Sequence, residues 1–390
     1  MLKKIIQKPF ISTILLALLI FLMDKIFLIP SIKKFVLYYK KVEIFFYESR
    51  FELFEYLKTF RDKEYALILG SSRSGMFSYK EFQQEMDKET SIFNFSAPLA
   101  GTSYYYYWLE KIYSSLQKKP QWILMELDAI NLGSPSIYIS LPYSYEPQFM
   151  LRYMDFSRDV PQNISQEKLK KYIDLIFSKN GLFKGFSADE VDTYFMKYFF
   201  IINRYNIHPN KIFENFKKID YFDETKNTII KIPLYEFAHR IKLKNLENFK
   251  HTLGGIPVEF YTQIPEKDLS IDAQRNFLRL LPSPELSSTQ LIFLKKILDL
   301  THQQNITLII YKPPMTVYAN QILKTYRLYD LEDLTEQFKK YHNIIYIDTT
   351  SISCKKFSDS VHLSPECYKE LTKFISTYAK KKVPNLSKSF

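Results

Sequence analysis

Two short stretches hold residue types that could do chemistry together. "LGSSRSG" (69–75) crowds serines around Arg73 at the end of an aliphatic run, and "DSVHLS" (359–364) places an aspartate three residues before a histidine. A serine hydroxyl becomes a useful nucleophile only beside a base, and an imidazole oriented by a carboxylate can serve as one. Ser72, His362 and Asp359 are therefore the candidate nucleophile, base and orienting acid. Each stretch also has a plainer reading. Serines after a strand often cap a helix, and a loop histidine is often just a surface residue. The acid-x-x-His spacing is itself weak, because Glu236/His239 and Asp299/His302 repeat it. The latter pair falls inside an amphipathic segment, where that spacing predicts a surface pair.

Their placement among the surrounding elements separates these cases. "YALIL" (65–69), "SIFNF" (91–95) and "WILMEL" (122–127) are short apolar runs, as expected for buried parallel strands. "ITLIIY" (306–311), stopped by Pro313 and Pro314, and "NIIYI" (343–347) continue the series. Helices are expected over 103–117, 287–303 (opened by Ser287 or Ser288), 329–341 and 365–382. Strands alternating with helices predict a doubly wound, mostly parallel, flavodoxin-like α/β sheet. Right-handed crossovers then bring every strand's C-terminal end to one edge, where ligands bind in such sheets. Gly70 is expected to permit a sharp turn that lifts Ser72 above that edge. Ser364 as N-cap and Pro365 in the first turn would hold His362 just outside the last helix.

The N-terminus predicts location. Lys3, Lys4 and Lys8 precede an apolar run from Phe10 to Met23, which Asp24 and Lys25 interrupt before Ile26–Ile29. The whole segment has about the 20 residues a span needs, and the positive flank should stay cytoplasmic. No small-x-small cleavage site follows, which predicts an uncleaved signal-anchor in the cytoplasmic membrane with the body on the extracytoplasmic side, the alternative being a buried amphipathic helix. Asp24 and Lys25 would then lie near the far interface, with the lysine snorkelling. Expected divisions are the anchor (1–30), an amphipathic connecting helix (31–60), a first domain part (61–139), a largely helical insertion or cap (140–285), a second part (286–382) and a tail (383–390).

Composition excludes some classes. Hydrophobic residues make up 46% and charged residues 25%, ordinary for a globular chain. The net charge of +12 would suit an anionic partner, but the lysines are scattered and no nucleic-acid signature accompanies them. Two cysteines exclude a disulfide-rich scaffold and a multi-cysteine zinc site, and no cofactor or metal is implied. Cys354 and Cys367 flank the Asp-His loop. A bridge would need their Cα atoms within about 7 Å, and the expectation is two free thiols.

Taken together, "LGSSRS", "DSVHLS" and the order of elements between them resemble the SGNH (GDSL-like) hydrolase superfamily, over residues 60–135 and 285–382. The resemblance implies Ser72 as nucleophile, with Ser71 in the usual aspartate position, His362 as general base and Asp359 as its orienting acid. It implies oxyanion donors from the backbone of Ser72 and from Ser96 or Gly101, in "FNFSAPLAGTS". The usual Gly-x-Asn-Asp block is missing from "MELDAINLG", where Asn131 comes late. That departure tilts the resemblance toward membrane-anchored SGNH-like proteins of envelope polymer acylation, similar to the D-alanine transfer and alginate acetylation proteins. These work beside a membrane-bound O-acyltransferase. The implied function is a serine O-acyltransferase or esterase acting on an ester-linked acyl group of an envelope glycan. The alternative is a non-catalytic scaffold or glycan-binding partner of such an acyltransferase.

Overall fold

The structure is a computed structural model describing residues 2–32, 42–60, 63–77, 79–85, 90–135, 145–157, 159–178, 183–205, 207, 210, 213, 216–223, 226–237, 240, 251–255, 264–328 and 331–382. The chain divides into two compact units, one of residues 1–45 with 192–246 and one of residues 46–191 with 247–390. The segment anticipated as one insertion is thus shared between the units.

The larger unit is built on a five-stranded sheet. Its strands are β1 (Tyr65–Leu69), β2 (Ser91–Asn94), β3 (Trp122–Glu126), β4 (Thr307–Lys312) and β5 (Ile344–Asp348), in the order β5-β4-β3-β1-β2. Every neighbouring pair is parallel, with Ile68 opposite both Asn94 and Leu124. Side chains alternate in direction along a strand, which builds two buried faces. Ala66, Ile68, Trp122, Leu124, Ile309 and Tyr311 share one core cluster with Phe82, Tyr368, Leu371 and Ile375. The alternate set, including Leu67, Ile123, Met125 and Leu308, is equally buried on the opposite face.

The helices follow from the same pattern. α2 (Val42–Leu57), α3 (Tyr79–Glu85), α4 (Thr102–Ser115), α7 (Ser288–Gln303) and α8 (Tyr368–Lys382) frame the sheet unit, with α4 packed on α7 and α3 on α8. The Ser287 hydroxyl caps α7 by accepting the N–H of Gln290 at 3.4 Å. Residues 140–285 are not only helical. Between α5 (Ala188–Phe199) and α6 (Leu269–Leu280) lies a hairpin of Lys218–Asp223 and Thr228–Pro233. The expected helix over 329–341 is shorter, Glu332–Phe338. The connecting helix expected over 31–60 is α2 plus one 3-10 turn, and residues 33–41 lie outside the described ones.

The smaller unit contains α1 (Leu2–Lys25), whose window Ile11–Leu28 has a mean hydropathy of 2.3 and is 6% buried. It is long and apolar enough to cross a membrane. Asp24 is not a free interfacial charge. It is buried, and its carboxylate accepts the N–H groups of Ile201 and Ile202, in the same unit, at 2.7 and 2.8 Å.

Candidate active site

Because β1, β3 and β5 are parallel, Gly70, Leu127 and Thr349 all leave the sheet at one edge. The chain steps from β1 outward to β2, then crosses to the other side of β1 to form β3. Such a reversal opens a crevice between the loops of the two strands. Ser72 follows β1, and the polar end of β3 faces it across that crevice.

Residues 72–74 form a single 3-10 turn, opened by Ser71, whose hydroxyl accepts the N–H of Arg73 at 3.2 Å. The neighbours of Ser72 point inward. The Ser71 and Ser74 hydroxyls donate to the two oxygens of Glu126, each at 2.6 Å, and the Ser71 N–H donates to Oε2 at 3.2 Å. Ser74 also pairs with the Tyr311 hydroxyl at 2.6 Å. Gly70 is required here for a different reason than turn geometry. Its φ is not in the left-handed region, but a Cβ there would overlap the Ser74 side chain.

Arg73 turns into the same buried site. Its guanidinium meets Glu126 at 2.7 Å and grips Asp128 with both terminal nitrogens, Nη2 to Oδ1 at 2.9 Å. Burial alone would depress the Arg73 pKa. The charges of Asp128 and Glu126 outweigh it, raise the pKa and keep the group protonated. Asn131 completes the network by donating to Ala100, Tyr105 and Glu126 and accepting from Arg73 and the Asp128 N–H. Its amide is fully used, so it serves as a brace beneath the turn and not as a donor facing outward.

That leaves Ser72 at the outer side of the turn. Its Oγ lies 2.7 Å from His362 Nε2, across 290 positions of sequence. The other ring nitrogen, Nδ1, lies 2.6 Å from Asp359 Oδ2. Asp359 Oδ1 accepts the N–H groups of Val361 and His362 at 2.9 and 2.8 Å. Burial would raise the Asp359 carboxyl, but the hydrogen bond and charge of His362, with those two N–H groups, hold it below the ordinary carboxylate range. An ionised Asp359 fixes the proton of a neutral imidazole on Nδ1 and leaves Nε2 to accept one from Ser72.

The loop carrying His362 is braced on several sides. Cys354 and Cys367 form a disulfide, with Cα atoms 5.5 Å apart, which corrects the expectation of free thiols. Phe357 bridges Leu363, and Ser358 N–H donates to His362 C=O at 2.9 Å. Ser360, between the acid and the base, is pinned from outside. Its N–H donates to Asp272 at 2.9 Å, its hydroxyl accepts from Asn276 at 2.9 Å, and its carbonyl accepts from the Thr316 hydroxyl at 2.8 Å. Ser364 does sit at the cap position before Pro365, but its hydroxyl makes no cap bond and turns to Glu366.

The remaining expectations fare unevenly. The Ser96 N–H donates to Asn94 Oδ1 at 3.0 Å, so it is spent on a local turn and not held for an oxyanion. Gly101 is buried at the start of α4, where its carbonyl accepts from Tyr104 and Tyr105. Asp299 and His302 do not pair with each other. Asp299 accepts from Lys295 and Tyr341, and His302 contacts Asn343. Glu236 pairs with Arg240 at 2.8 Å, while His239 lies outside the described residues. The sequence reading missed Arg73, Glu126, Asp128 and Asp272. A carboxylate ending the apolar run "WILME" was a signal for Glu126, because such a group must find partners when buried.

No curated protein matches the chain. One family, described as "Protein of unknown function (DUF1574)", matches residues 3–378. That match spans the N-terminal apolar helix, the serine turn and the Asp-His loop alike, and the chain belongs to the DUF1574 family.

Proposed function

We propose that Ser72, His362 and Asp359 act as a nucleophile, base and acid on an ester-linked acyl group, and that the chain is an SGNH-like serine O-acyltransferase or esterase of an envelope glycan. The observation that carries this reading is the continuous relay from Ser72 Oγ through the imidazole to Asp359, at 2.7 and 2.6 Å. In the first step Ser72 Oγ attacks the acyl carbonyl while His362 Nε2 takes its proton. The ester C–O bond breaks, His362 returns the proton to the leaving oxygen, and an acyl-serine remains. Water or a sugar hydroxyl then loses its proton to His362 and attacks the acyl-serine; the acyl–Oγ bond breaks, and His362 passes that proton to Ser72 Oγ. Hydrolysis and transfer differ only in that second nucleophile.

Three further features support the reading. The sheet's strand order, 2-1-3-4-5 in chain sequence, is that of flavodoxin-like folds. The nucleophile follows the first strand and the Asp-His loop precedes the last helix, as in the SGNH resemblance. The disulfide beside the site suits an exported domain. On this reading α1 anchors the chain in the cytoplasmic membrane with the sheet unit on the extracytoplasmic side, beside a membrane-bound O-acyltransferase.

One observation favours a second reading, a non-catalytic scaffold for such an acyltransferase. Ser96 N–H and the Asn131 amide, the positions nearest to the family's second and third oxyanion donors, are engaged elsewhere. The two readings part on one experiment: labelling of the purified full chain by a serine-reactive fluorophosphonate, together with envelope-polymer acylation in cells. The catalytic reading expects labelling and acylation, both lost in Ser72→Ala at equal protein level. Normal acylation with Ser72→Ala leaves the scaffold reading in its place.

A further inference from the structure

Asp24 is an acid inside the most apolar stretch of the chain. It lies four residues before the end of the Ile11–Leu28 window, about 6 Å along the helix axis. Ionisable groups at such positions are costly unless partnered. Asp24 pairs with the neighbouring Lys25 ammonium at 3.0 Å, and its remaining partners come from a second segment, the start of the helix Ile201–Tyr205. Its two oxygens accept the N–H groups of Ile201 and Ile202, and the Lys25 ammonium donates to the Phe199 carbonyl. The ring of Phe200 meets that of Phe21 edge-on at 6.2 Å between centroids. Residues 199–202 are therefore fixed at the level of Asp24.

The outer side of this segment is apolar. Met196, Phe199 and Ile202 recur at three-residue intervals and are 47%, 48% and 43% exposed. The flanking surface of α1 is exposed in the same way, with Leu19 at 54% and Leu22 at 54%. Ile26, Leu28 and Ile29 extend the apolar surface beyond Asp24.

From these contacts we infer that residues 196–202 lie in the same lipid leaflet as the C-terminal end of α1, as a second, non-spanning membrane contact whose exposed face meets lipid acyl chains. The inference rests on the reading of α1 as a membrane anchor. If α1 is embedded as far as Leu28, a segment hydrogen-bonded to Asp24 cannot remain in bulk water. A face of three large apolar side chains suits the headgroup–acyl boundary, where interfacial helices sit about 5–10 Å deep. Asp24 then becomes the tie between a spanning and a surface-lying element.

The test uses the full chain in phosphatidylcholine–phosphatidylglycerol vesicles carrying brominated acyl chains, which quench nearby tryptophan. The native Trp108 and Trp122 are fully buried in the sheet unit and give a constant background. Phe199→Trp reports on the segment, with Ile202→Trp as a second reporter on the same face. Leu19→Trp reports on α1, and Phe156→Trp, on an exposed residue of the sheet unit, is the reference. Quenching of Phe199→Trp and Ile202→Trp several-fold above the Phe156→Trp reference is expected. If both stay at that reference while Leu19→Trp is quenched, the inference is overturned and the anchor stands. If Leu19→Trp is also unquenched, the anchor falls and the inference with it.

Discussion

Asp272, on α6, accepts the backbone N–H of Ser360 at 2.9 Å, and Ser360 stands between Asp359 and His362. A residue 88 positions away in sequence thereby fixes the peptide that aims both the acid and the base. The same carboxylate accepts from Asn276 at 3.0 Å, and Asn276 also reaches the Ser360 hydroxyl. On the proposed reading Asp272 is thus a positioning residue.

Removing this contact should loosen the loop without deleting any group of the relay. Asp272→Ala is expected to slow fluorophosphonate labelling of Ser72 by about 10- to 100-fold, the scale of a misplacement near 1 Å. Asp272→Asn retains an acceptor oxygen and should recover much of the rate. Equal labelling by wild type and Asp272→Ala would show that the loop is held without it.

On the proposed mechanism Ser72 and His362 act in one step, so their losses should not add. Ser72→Ala and His362→Ala are each expected to lower acyl turnover by on the order of 10⁶-fold, and the double variant by little more. Steady-state turnover of an activated ester by the three variants checks this. Losses that multiply would mean the two residues work independently.

Arg73 is the counter-charge to two buried carboxylates. Arg73→Leu leaves Glu126 and Asp128 without it and should destabilise the sheet unit by about 3–5 kcal/mol. Arg73→Lys should recover only part of this, since one ammonium cannot match a fork that meets both carboxylates. Urea unfolding followed by the fluorescence of buried Trp108 and Trp122 gives the comparison.

The bridge between Cys354 and Cys367 spans 13 positions and encloses Asp359 and His362. Closing a loop of that size stabilises by about 3 kcal/mol in the chain-entropy account. A reductant should therefore lower the melting temperature of the wild type. It should leave the double variant Cys354→Ser, Cys367→Ser unchanged, already at the lower value. Identical melting of wild type with and without reductant would show the bridge to be absent or without consequence.

Asp359 gives an acid limb to stability. Its folded pKa lies below the ordinary value of 3.8, because the bonds to His362 and to two N–H groups outweigh burial. The folded state thus binds this proton less readily than the unfolded one. The contribution is complete above pH 3.8 and is lost as pH falls below it through the folded value. Asp359→Asn should melt below the wild type near neutrality, and the gap should narrow on acidification below about pH 4. A constant gap across that range would mean that Asp359 does not contribute through its charge.

Local patterns were enough to place the sheet strands and the edge at which Ser72 and His362 meet. Apolar runs such as "YALIL" and "WILME" are local signals, readable because a buried parallel strand must be apolar on both faces. Parallel strands then send Gly70 and Thr349 out on one side, and this placed Ser72 and His362 on the same edge before any distance was known. The offset of Ser72 from Gly70 singled it out over Ser71 and Ser74, but what turns those two inward is not legible in the sequence. Glu126 does so by accepting from both Ser71 and Ser74, from 55 and 52 positions away. The disulfide, the hold of Asp272 on Ser360 and the tie from Asp24 to Ile201 also required the tertiary structure. Each joins polar groups through a contact of about 3 Å or less, or through a covalent bond. Such contacts depend on how segments distant in sequence approach one another, which hydrophobic periodicity does not encode.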